Sequence, residues 1–84
     1  NFHFGYLLDP NIPEERVTAE ALNHKLVARA LSMGGTCTGE HGVGVHKMGF
    51  LLDEAGAGAV DMMRAIKRAL DPKNILNPGK IFAL

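Results

Sequence analysis

The sequence predicts an α+β fold: one or two strands, two main helices and an extended C-terminal tail. Three observations predict it. Phe2, Phe4 and Tyr6 alternate with His3 and Gly5, the period of a half-buried strand. Two later stretches repeat apolar residues at three- and four-residue steps, the period of a helix. Between them, residues 35–44 are rich in glycine and follow neither period.

Residues 1–9 read as the strand, which sends His3 to the face opposite the aromatic rings. Asp9, Pro10 and Asn11 form a turn signal, and Pro13 suits the first position of a helix. Glu14 and Glu15 suit the positive end of the helix dipole. Residues 13–33 then read as one amphipathic helix, with Val17, Ala21, His24, Ala28 and Leu31 on a stripe that Leu22 and Leu26 widen. Gly34 and Gly35 end it as a C-terminal cap. A short helical stretch is expected over 47–54, broken by Gly56 and Gly58. A further helix is expected over 57–70, with Val60, Met63, Ile66 and Leu70 on one stripe. Lys67 and Arg68 suit its last turn, and Asp71-Pro72 stops it. The tail, 71–84, is apolar at Ile81, Phe82 and Leu84 without helical period, so it is expected to dock onto another surface.

The bulk properties exclude several classes. The 84 residues make one small domain at most, marginal on its own. Net charge is zero and no Lys/Arg cluster exists, which argues against a nucleic-acid partner. Cys37 is the sole cysteine, so no internal disulfide can form. No apolar run is long enough to span a bilayer, and no signal-peptide pattern is present. The chain opens at Asn1, with no initiator Met, directly into an apolar run. Native termini are usually loose and polar, so a cut through a longer protein is expected; the rival reading is a processed chain.

Chemistry concentrates in the glycine-rich loop, where Gly39, Gly42 and Gly44 surround Glu40 and His41. Adjacent carboxylate and imidazole groups offer a metal ligand or a proton acceptor. The spacing G-x-x-G-x-G follows a helix, so it is not the dinucleotide fingerprint, and no G-K-S/T follows to make a phosphate-binding loop. On residue types alone, a surface connection with a chance Glu-His pair is an equal reading. His3 gains interest only if the loop folds over the first segment, and two ligands alone are too few for a metal site. His24 reads as a core-edge residue, Cys37 as a small buried residue, and Met48, Met62 and Met63 as core filling. Asn77 to Lys80 read as a turn that could touch a ligand.

Three stretches resemble one family. Residues 34–44, G-G-T-C-T-G-E-H-G-V-G, resemble the signature loop of FAD-linked oxidases of the vanillyl-alcohol-oxidase fold. Residues 71–81, D-P-K-N-I-L-N-P-G-K-I, resemble the C-terminal signature of that family, and residues 1–3 resemble the end of its G-D-G-N-x-H motif. The wording of the loop is most similar to the cytochrome-linked D-lactate dehydrogenases, with glycolate oxidase flavin subunits close by. The resemblance covers the whole chain and implies that residues 1–84 are the C-terminal segment of the cap domain, without the FAD-binding domain. It implies that His3 and Glu40 ligate a divalent metal such as zinc or manganese, that His41 is the general base, and that Asn77 lies near the FAD. It further implies oxidation of D-lactate or a similar D-2-hydroxy acid, with a cytochrome or a quinone accepting the electrons. A cytoplasmic or membrane-peripheral location both fit. Two departures stand out: the upstream G-H-x-G-D-G-N stretch with the second metal histidine is missing, and Gly5 replaces an Asn found in some relatives. Alone, the chain is expected to be inactive and to self-associate through unpaired strand edges. A different class is a small ligand-binding or assembly module that uses the glycine loop as a cradle without redox chemistry. A weaker third reading is a stand-alone zinc protein, disfavoured by too few ligands.

Overall fold

A computed structural model describes residues 2–84; Asn1, part of the expected strand and of the first motif, lies outside the described residues. The described residues hold three helices in the order α1 (Pro13–Ser32), α2 (Met48–Ala55) and α3 (Ala57–Leu70). They contain no strand, so the α+β expectation is corrected: the fold is all-helical.

The reason lies in what alternation can report. Rings at Phe2, Phe4 and Tyr6 do share one side, with centroids 6.5 Å and 5.0 Å apart in successive pairs. Alternation assigns faces, but a strand also needs a neighbour whose backbone groups meet its own. Among the described residues, no backbone group of residues 2–8 bonds to another segment's backbone. The segment is therefore extended apolar chain without a ladder, and the edge-pairing argument for self-association loses its basis.

The turn before α1 is built as its residues suggest. Asn11 donates its N–H to Asp9 Oδ1 at 2.9 Å, and Ile12 donates to Asp9 O at 3.1 Å. The Asp9 N–H donates to Glu15 Oε2 at 2.7 Å, tying the turn to the first turn of α1. At the other end, Gly35 N donates to Ala30 O at 2.8 Å and Gly34 N to Leu31 O at 3.1 Å, the paired bonds of a Schellman cap. Glycine is required at both positions. Gly34 has φ +77°, and a Cβ on Gly35 would stand 2.9 Å from Ala30 O.

Helices α2 and α3 pack against each other around Gly56. Gly58, expected to break the chain, lies within the first turn of α3. α1 meets α2 edge-on through His24 and Phe50, whose ring centroids are 4.8 Å apart. The expected stripe on α1 is largely uncovered: Val17, Leu22 and Leu26 are exposed, and only Ala19 is buried.

The tail docks onto α3 and the glycine loop. Arg64 Nε donates to Ala83 O at 2.5 Å, Lys67 Nζ to Leu76 O at 2.5 Å, and Ile81 N to Gly44 O at 2.8 Å. The core remains thin, with Ala19, Cys37 and Val60 as its buried apolar residues. The radius of gyration is 15.2 Å, against about 12 Å for a compact domain of this length. The accessible surface is 6568 Å² for 9.0 kDa, against roughly 4900 Å² by the usual scaling. Much apolar surface is thus left uncovered. Among the described residues, no helix is long and apolar enough to cross a membrane.

Candidate metal and proton-transfer site

The glycine loop begins where the Schellman cap turns the chain off α1. Thr36 Oγ1 donates to Glu54 Oε2 at 3.0 Å, and Cys37 N donates to the same oxygen at 2.8 Å. These bonds, led by the Cys37 N–H, hold the Glu54 carboxyl below its ordinary range. Burial, reinforced by the Glu54 carboxylate, pushes the Cys37 thiol up to about 11. Cys37 is therefore a buried thiol kept protonated, which disqualifies it as a nucleophile at neutral pH. The far end of the loop is held by Ile81 N on Gly44 O.

Between these anchors, the loop crosses the N-terminal segment and brings three side chains together. Glu40 Oε1 lies 2.9 Å from His3 Nε2 and 3.6 Å from His41 Nε2. The two imidazole rings meet edge-on at 5.6 Å between centroids. Gly42, directly after His41, has φ +76°, a backbone state that lets the loop turn away immediately after the pair. All three side chains are exposed, at 64% for His3, 59% for Glu40 and 73% for His41, so nothing walls the cluster from water.

One donor atom from each residue falls within 4.8 Å of the others. Two imidazoles and one carboxylate form a mixed nitrogen-oxygen donor set. That chemistry suits a divalent cation of the zinc or manganese kind. His3 Nε2 and Glu40 Oε1 stand at hydrogen-bond distance, 2.9 Å, and are donor types that a divalent metal accepts.

Asn77 is not in this cluster. It lies in an exposed turn of the tail, with φ +44°, and joins the loop only through Ile81 four residues later. The loop follows a helix and lacks the dinucleotide fingerprint, so it is not a Rossmann-type phosphate loop. A cavity of about 580 Å³, lined by Phe2, Phe4, Thr36, Cys37, Thr38 and Phe50 among others, lies beside the loop, and none of the three cluster residues lines it.

Two anchoring residues were not legible from sequence. Glu54 acts across 17 residues and carries no local signal. Asp71 reads as a helix stop, and its spacing of four from Lys67 was the available clue to the ion pair. Its carboxylate also accepts the N–H groups of Ile75 at 3.0 Å and Leu76 at 2.9 Å.

Comparison with known proteins places this loop, the N-terminal histidine and the docked tail within one protein family. Residues 1–81 match the model of the FAD-linked oxidases, C-terminal domain, and the chain belongs to that family. It is 57% identical over 82 residues to the mitochondrial D-lactate dehydrogenase [cytochrome] 1 of Saccharomyces cerevisiae, covering 98% of this chain and 14% of the relative. It is 54% identical over 81 residues to the mitochondrial D-lactate dehydrogenase [cytochrome] of Arabidopsis thaliana, covering 96% of this chain and 14% of the relative. With the glycolate oxidase subunit GlcD of Bacillus subtilis it shares 41% identity over 83 residues, covering 99% of this chain and 18% of the relative. The chain thus spans less than a fifth of the length of these relatives.

Proposed function

We propose that the chain works as the C-terminal part of an FAD-dependent dehydrogenase that oxidises D-lactate or a similar D-2-hydroxy acid. The observation that carries this reading is Glu40 standing between His3 and His41, within 2.9 Å and 3.6 Å, on a loop anchored at both ends. Family membership and the names of the D-lactate dehydrogenase relatives supply the reaction class.

In this reading His3 and Glu40 would be two of the ligands of a divalent metal, which would supply a Lewis acid for the substrate hydroxyl. His41 accepts the substrate hydroxyl proton, a role open to an exposed imidazole. Glu40 keeps the two imidazoles on one side of the loop and adds the negative charge that a cationic site requires. FAD, held by the remainder of the enzyme, supplies the hydride acceptor. In this reading Asn77, in the turn of the tail, contacts that cofactor. A cytochrome is the electron acceptor that the names of the D-lactate dehydrogenase relatives favour, with a quinone as the second choice.

The test uses the full-length, FAD-loaded enzyme and a panel of D- and L-2-hydroxy acids. Rapid flavin bleaching by D-lactate, and slow or absent bleaching by L-lactate, is the expected result. Equal rates with both enantiomers, or no bleaching with any member, would refute the assignment.

A further inference from the structure

Glu40 and His41 are exposed, and their own contacts do little to fix the loop, because exposed pairs are weak. The loop must therefore be positioned from outside the cluster. At its start stands Glu54, in the last turn of α2, whose single oxygen Oε2 accepts both Thr36 Oγ1–H and Cys37 N–H. At its end stands Ile81, whose N–H holds Gly44 O. Ile81 has φ +72°, unfavourable for a β-branched residue, and the following Phe82 N–H closes back onto Lys80 O at 2.8 Å.

Glu54 sits where its helix disfavours it. The last turn of α2 carries the negative end of the dipole and has no basic residue to offset a carboxylate. The two loop bonds are the compensation, so the side chain is placed for the loop and against its own helix. We infer that Glu54 is a positioning residue for hydroxy-acid oxidation, fixing residues 36 and 37 so that Glu40 and His41 are presented to His3. The inference rests on the function proposed above.

The test compares Glu54→Ala, Glu54→Gln and Thr36→Val in the full-length, FAD-loaded enzyme by flavin reduction at saturating D-lactate and by amide hydrogen exchange. Glu54→Ala should slow reduction by about tenfold to a hundredfold, the scale of a small misplacement of reacting groups. Its loop amides, 37–44, should exchange faster while those of α3 stay as protected as in wild type. Glu54→Gln keeps an acceptor oxygen and should retain most of the rate. If Glu54→Ala unfolds, exposing α3 amides as well, Thr36→Val carries the test: it should slow reduction and loosen the loop, and wild-type behaviour in it would overturn the role. A wild-type rate in a folded Glu54→Ala enzyme overturns the role, as does a Gln variant as slow as the Ala variant. A wild-type enzyme inactive toward every 2-hydroxy acid instead refutes the proposed function, which separates the two failures.

Discussion

Asp71 and Glu40 are two carboxylates that the same short chain uses in opposite ways. Asp71 is buried and fully engaged, taking an ion pair from Lys67 and the backbone N–H groups of Ile75 and Leu76. The Lys67 ammonium, helped by those N–H groups, holds its carboxyl at about 2, below its ordinary 3.8. Glu40 is exposed and, among the described residues, pairs with two imidazoles, leaving its carboxylate accessible to solvent. The contrast teaches that a carboxylate saturated by backbone donors is committed to the fold, whereas one framed by exposed histidines is available for chemistry.

The contrast can be broken or sharpened at several points. The largest effect is expected at His41. His41→Ala in the full-length enzyme should lower the flavin reduction rate by about 10²- to 10⁴-fold, the usual contribution of a general base. Retained FAD absorbance would show that cofactor binding survives. Next comes the metal. His3→Ala and Glu40→Gln should each weaken zinc or manganese binding, by roughly tenfold or more, in equilibrium dialysis of the full-length protein.

A smaller effect is expected at Asp71, and it falls on the fold. Because its folded value lies below its ordinary one, its stabilising contribution is present above about pH 4 and is lost as pH falls through about 2. Helix content followed by circular dichroism should drop in that window, and Asp71→Asn should flatten the drop and lower the melting temperature at neutral pH. The smallest effect concerns the uncovered apolar surface. Phe2, Leu7, Val17 and Leu70 are all strongly exposed, so the chain alone should self-associate in sedimentation velocity as concentration rises. A single monomeric species at all concentrations would remove that expectation.

The helices were largely legible in the sequence. α3 runs over Ala57–Leu70 as its stripe and the Asp71-Pro72 stop indicate, and α1 ends one residue earlier than read. Local signals suffice there because caps and periodicity are short-range. The strand was misread because alternation at 2, 4 and 6 fixes faces but says nothing about pairing. The stripe on α1 was misread in a related way: its period identifies a face, and the chain supplies too little mass to cover it. Glu54 was invisible because its partners lie 17 and 18 residues away on another segment. The closeness of His3 to Glu40 depends on the loop crossing the N-terminal segment, a tertiary fact that spacing alone does not contain.

The most direct test of this division sets Glu40→Gln beside Asp71→Asn in the full-length, FAD-loaded enzyme, with flavin reduction by D-lactate and thermal melting measured on both. Glu40→Gln should lose most of the reduction rate and melt with wild type, while Asp71→Asn should melt earlier and, well below its melting temperature, reduce flavin at close to the wild-type rate. Undiminished reduction in Glu40→Gln would contradict the account, because the exposed carboxylate would then serve no chemical purpose.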